Sequence, residues 1–279
     1  MPSKITPNKR SAYIHLSEEL MIEVFKVDSW EDLNEQLWKY SRDSTLNWVT
    51  DTTYRGLDRD YGNLKTSLQR LGGNLKIKEQ KLLNAFRKHA RTDLQFGESD
   101  WDVMLLGRHY GLPTRLLDWT VSPLTALFFA VEHVEHDDED GVIWCVKRSD
   151  TNSLLPRDLL TLLQEHQGTT FSVEELKERF KSVKDLDLLT HECVLFFEPP
   201  GVSPRIINQF PVFSVMPGVE SDALAYFDQK DVHYRKVMVS SRLKKEVRGR
   251  LLVMNVSDRT MYPGLDGISR WLKAWLSRW

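Results

Sequence analysis

Cysteine is nearly absent from this chain, with Cys145 and Cys193 the only two thiols in 279 residues. Each lies in an apolar run, Val142-Ile143-Trp144-Cys145-Val146 and Cys193-Val194-Leu195-Phe196-Phe197. That pattern reads as two buried, reduced thiols on strands, and a zinc site would need more ligands at shorter spacing. Charge of one sign is missing as well: 38 Lys and Arg face 40 Asp and Glu, a formal net charge of −2. Capture of nucleic acid by bulk basic charge is therefore excluded, although a local basic groove is not. No stretch approaches the roughly 20 apolar residues of a membrane helix, and Met1 to Arg10 has no apolar leader core. We expect a soluble, cytoplasmic protein with no membrane partner. Catalytic signatures are equally scarce. A phosphate-cradling Gly-x-x-x-x-Gly-Lys, a Gly-x-Gly-x-x-Gly, a His-Glu-x-x-His and a nucleophile elbow are all lacking. The common nucleotide hydrolases, zincins and serine hydrolases drop out with them.

Aromatics are plentiful. Nine Trp, eight Tyr and twelve Phe supply the burial that a folded core requires. A helix is predicted from Ser29 as N-cap, with Asp32 at its third position and Leu33, Leu37 and Trp38 on one face. Thr45 to Tyr54 has strand composition and ends at Arg55-Gly56. Lys78 to Leu94 is amphipathic, Trp101 to Arg108 keeps helical spacing, and Gly111-Leu112-Pro113 breaks it. Ser122 caps a broadly apolar helix with Pro123 at its first position. Strands are predicted at 141–146, 192–197, 211–215 and 234–239, and helices at 243–254 and 268–276. The expected architecture is α+β, a helical N-terminal half laid on a mixed central sheet with helices closing the end. Residues 1–44 form an arm and a helix. Residues 45–279 form a single domain with a helical insertion near 150–190.

The densest polar stretch runs from His109 to Pro123. Its chemistry suits an anion at the helix N-terminus, with Tyr110 or Trp119 as a stacking wall and Arg55, backed by Gly56, as a bidentate clamp. The structural alternative is that Arg115 and Asp118 form a buried ion pair, His109 sits in the core and Ser122 is only a cap. His133, His136, Asp137, Asp138 and Asp140 read as a solvated turn more readily than as a metal site. Trp271, Trp275 and Trp279 form a stripe that serves core packing or docking.

Tyr54-Arg55-Gly56, the run His109 to Thr120 and the segment Ser122 to Ala130 together resemble the FRG domain. So do Arg205-Ile206 with Gln209 and Phe213, and Tyr262-Pro263 with Leu265-Asp266-Gly267. The order of these motifs resembles a divergent ADP-ribosyltransferase, which implies a central sheet of that type. The resemblance places Arg55 at the first motif, Thr120 and Ser122 at the second and Gln209 near the third, where many transferases carry Glu. It implies NAD as substrate, no metal, and a nucleobase, a protein side chain or water as ADP-ribose acceptor. Arg55 would clamp the pyrophosphate with help from Arg115, and a base would come from Asp118, Glu198, Asp266 or the acceptor. Such an enzyme would suit a bacterial toxin or phage-defence effector. The alternative is a non-catalytic module that grips a nucleotide or nucleic acid strand, using the basic helices Lys76–Arg91 and Arg242–Arg250. Metal-dependent hydrolysis through His109 and Asp118 is a third reading.

Overall fold

The computed structural model describes residues 22–39, 51–94, 99–201 and 203–276. Among the described residues eight strands form one mixed sheet: β1 (Ile22–Val27), β2 (Thr52–Leu57), β3 (Leu117–Thr120), β4 (Gly141–Lys147), β5 (Phe171–Ser172), β6 (Leu195–Glu198), β7 (Pro211–Val215) and β8 (Tyr234–Val239). Their order is β1-β8-β4-β2-β3-β7-β6-β5. The pairings β1–β8 and β5–β6 at the two edges are parallel, and those between are antiparallel. Among the described residues thirteen α-helices surround this sheet, so the fold is α+β. Among the described residues no helix is long and apolar enough to cross a membrane.

Period-two alternation sorts the central strand. In β4, Ile143 and Cys145 face one core, shared with Tyr54, Leu127 and Val237, while Val142, Trp144 and Val146 face the other, with Trp119 and Phe227. The helix Pro123–Val131 covers the first face, and its hydrophobicity on all sides matches its burial. Its seat has no room for side chains. A Cβ at Gly56 would stand 1.8 Å from the Ala126 carbonyl oxygen, and one at Gly141 would stand 2.3 Å from that of Ala130. Glycine in the strands and alanine in the helix therefore let the two backbones touch.

Several expectations shift. Strand β2 runs through Arg55 and Gly56 instead of ending there, because both residues pair with β4. The part of the predicted strand from 45 to 50 lies outside the described residues, as does Trp279. The segment 148–187 carries four helices and β5, and it delivers Leu159, Phe171, Leu176 and Phe180 to the core that holds Trp101 and Phe197. The acidic run after His133 is solvated only in part: Glu135, Asp138 and Glu139 are exposed, and its other members bind the fold. His136 pairs with Asp58, Asp137 with Arg248, and Asp140 with Lys26 and the Ser241 N–H, so the run docks the helix Ser241–Val253. Both thiols are buried and unbonded; burial pushes Cys145 up to about 11 and Cys193 to about 12.

Candidate functional site

The sheet parts at its middle. Strands β2 and β3 share one paired position, Tyr54 with Thr120, whereas β2 stays paired with β4 along its whole length and β3 with β7. Arg55 fills the parting: its Nη1 donates to the Asp118 carbonyl at 2.7 Å and reaches the Asp118 carboxylate at 3.3 Å. A guanidinium thus stands where a strand neighbour's N–H would otherwise satisfy that carbonyl. Arg108, in the last turn of the helix Asp100–His109, grips the same carboxylate with a fork, Nε to Oδ1 at 2.8 Å and Nη2 to Oδ2. Its Nη1 donates to Ser67 Oγ at 3.0 Å.

The electrostatics follow from this geometry. Burial pushes the Asp118 carboxyl up, but Arg108 and then Arg55 outweigh it and hold the group at about 2. Burial draws Arg55 below its ordinary value, partly offset by Asp118. Among the described residues the Arg55 Nε is buried without a hydrogen-bond partner. Because the folded pKa of Asp118 lies below its unfolded value, its contribution to stability is complete above about pH 4 and is lost as pH falls towards 2. Asp118→Asn is expected to lower the urea midpoint at pH 7 and to flatten the acid side of the stability curve between about pH 4 and 2. An unchanged acid side in equilibrium unfolding would show that Asp118 is not clamped.

A cleft of about 560 Å³ opens at the parting, lined by Arg55, Arg108, Asp118, Thr120, Arg205 and Gln209 among others. It adjoins a hollow of about 290 Å³ whose wall includes Leu94, Leu105, Ile206 and Phe213. Three guanidiniums and one carboxylate give the larger cleft a net positive character, suited to an anion. Arg205, on the short helix Pro204–Gln209, donates to the His109 carbonyl at 3.3 Å and lies 5.0 Å from the Tyr262 ring centroid. Burial lowers the His109 pKa first, and Arg205 lowers it further. Tyr110 stands 71% exposed at the rim, with the His109 ring edge-on at 5.0 Å.

The expected site residues separate into two groups. Arg55, Asp118, Thr120, His109, Tyr110 and Gln209 come together around the cleft. Thr120 Oγ1 donates to the Gln209 carbonyl at 2.7 Å and accepts from the Ser122 N–H, joining β3 to the opposite wall. Gln209 Nε2 donates to the Met261 carbonyl at 2.8 Å. The others serve the fold. Arg115 does not assist the clamp: it is buried with Glu79, Asp187 and the Pro217 carbonyl. Trp119 borders the cleft but is no stacking wall, because its indole packs in the core near Phe196 and donates to Ser214 Oγ at 2.8 Å. Ser122 caps its own helix through the Thr125 N–H, so that terminus is closed from within. Gly56 is the seat of the helix above it. Sequence reasoning passed over Arg108 and gave Arg205 no role at the site. The available signal was the position of Arg108 directly before His109, in a last turn that draws basic residues toward whatever carboxylate lies ahead. Among the described residues no cluster of three His, Cys, Asp or Glu is placed to hold a metal.

An α+β sheet opened at its centre around arginines is the class that fold and site define. Residues 50–139 match the FRG domain family. The match takes in Tyr54-Arg55-Gly56 and the run from His109 to Ala130; Arg205, Gln209 and Tyr262 lie beyond it. No curated protein and no solved structure matches the chain.

Proposed function

We propose that the cleft binds NAD, breaks the nicotinamide–ribose bond and passes ADP-ribose to a nucleobase, a protein side chain or water. The observation that carries this reading is the meeting of Arg55 and Thr120 from neighbouring strands with Gln209 from the far wall, around one cation-rich cleft. Breaking that bond builds an oxocarbenium-like centre, so the site must hold a pyrophosphate, orient a ribose and tolerate developing positive charge. Arg55, with its unpartnered Nε, and Arg205 take the pyrophosphate. Tyr110 supplies the planar wall from the rim. Gln209, held by Met261, offers its Oε1 to a ribose hydroxyl. Asp118 stays ionised under all but strongly acidic conditions, so it stabilises the cationic centre but does not accept a proton.

Incubation of the full chain with isotopically labelled NAD and mixed protein and nucleic acid, read by nicotinamide release and mass addition, tests the reading. Arg55→Lys, which keeps a cation beside Asp118, and Gln209→Ala are each expected to lower release by about 100-fold or more while the melting temperature stays close to that of the wild type. Equal loss of fold and activity would mark both as purely structural. The second reading, a module that binds without chemistry, is favoured by the lack of an unclamped carboxylate in the larger cleft. It predicts salt-sensitive ligand binding with no nicotinamide release. Its nucleic acid form draws less support, since Arg87 pairs with Asp100, Arg248 with Asp137 and Arg250 with Glu246.

A further inference from the structure

Transfer to an acceptor, or to water, leaves one proton to be removed, and among the described residues the cleft has few groups able to take it. The Asp118 carboxylate is gripped by two arginines. Gln209 is an amide and has no proton-accepting chemistry at neutral pH. Glu198 accepts from Thr170 Oγ1 at 2.8 Å and lines neither hollow, and Asp266 lines neither. His109 lines both. Its main chain is fixed by Arg205, its ring lies edge-on against Tyr110, and its Nε2 is 3.5 Å from Ser203 Oγ.

We infer that His109 is the proton acceptor for the group that attacks the ribose, an assignment that rests on the NAD reading of this same cleft. The attacking oxygen or nitrogen forms its bond to the ribose C1′ as the bond from C1′ to the nicotinamide nitrogen breaks. The electron pair of that bond leaves with nicotinamide, which becomes neutral. The acceptor's proton passes to the imidazole and from there to solvent. Imidazole suits the task because its neutral form is a base that persists at neutral pH. The charged and titratable groups around it are Arg108 and Tyr110 on its own segment, Arg205 from the Pro204–Gln209 helix, Arg55 and Asp118 from β2 and β3, and Asp93 and Asp102 in the adjoining hollow. Burial, and after it Arg205, keep the ring neutral to a lower pH than usual. Catalysis is therefore complete above the ordinary histidine value of about 6.5 and is lost as pH falls through the lowered one.

The test is steady-state nicotinamide release from NAD by the full chain between about pH 5 and 9, with His109→Gln and His109→Asn alongside. The wild type is expected to lose kcat on the acid side through one ionisation. Both variants are expected to lose kcat by about 100-fold or more, to keep KM within a few-fold, and to lack the acid limb. Added imidazole is expected to restore part of kcat to His109→Ala. A variant with wild-type kcat, or one that retains the acid limb, overturns the assignment, and a raised KM with unchanged kcat makes His109 a binding residue. A wild-type chain that binds NAD but releases no nicotinamide overturns the NAD-cleavage reading and this assignment with it.

Discussion

Gly56→Ala is expected to lower the melting temperature by about 10 °C, a loss on the order of 3 kcal/mol or more. The added methyl carbon would stand 1.8 Å from the Ala126 oxygen and 2.7 Å from the Ala126 carbonyl carbon. Both are backbone atoms inside a buried helix, so no side chain can swing aside to make room. The helix Pro123–Val131 must lift from β2, and in lifting it also leaves Gly141 on β4. Overpacking of a core typically costs about 1–3 kcal/mol and occasionally more, and a collision between main chains belongs at the upper end. Thermal unfolding checks this. A variant that melts within 2 °C of the wild type (well inside the roughly 10 °C expected) would mean that the helix does not rest on the strand.

Arg115→Ala is expected to cost about 3–5 kcal/mol, read as a shifted urea midpoint at constant slope. Its guanidinium gives Nε to Glu79 at 2.7 Å and Nη1 to Asp187 at 2.7 Å, and the Arg115 and Glu79 side chains are only 2% and 4% exposed. Removing the cation strands the Glu79 carboxylate in a place that water does not reach. The double variant Arg115→Met with Glu79→Leu is expected to recover much of the loss, because two apolar side chains of similar size leave no orphaned charge in the core, and the Asp187 carboxylate that also loses its partner is half-buried and reaches solvent. A single variant within 1 kcal/mol of the wild type, where about 3–5 is expected, would place the pair in solvent.

Arg55 and Arg115 together show where the sequence was legible and where it was not. Arg55 and Arg115 both lie within the residues that match the FRG domain, and both sit near a carboxylate. One borders the cleft and the other sits in the core. The difference depends on Glu79, Asp187 and Pro217, which no local pattern ties to position 115. Elements with strong local signals are where the patterns put them. Ser29 and Ser122 cap their helices, and β8 spans Tyr234–Val239 as predicted. Strand β1 and the helix Ala223–Gln229 went unread: the first is an edge strand and the second is only two turns long, so neither has a sustained period. At the site, motif order brought Arg55, Thr120 and Gln209 to one cleft. Trp119 was misassigned because alternation on β3 sends it to the opposite side from Asp118 and Thr120, and the strand's pairing partners decide which side is which.

The Pro204–Gln209 helix forms one wall of the cleft, yet it is anchored from behind. Asn208 donates to the Thr260 carbonyl and Gln209 to that of Met261, while Tyr262, whose hydroxyl donates to Glu132, carries Arg205 on its ring. A fragment cut to residues 50–139 would retain Arg55, Arg108 and Asp118 but neither β4, which pairs with β2 along its length, nor the wall that faces them. The recognisable portion is therefore one jaw of a vice, and its grip is set by a hinge-pin more than a hundred residues downstream.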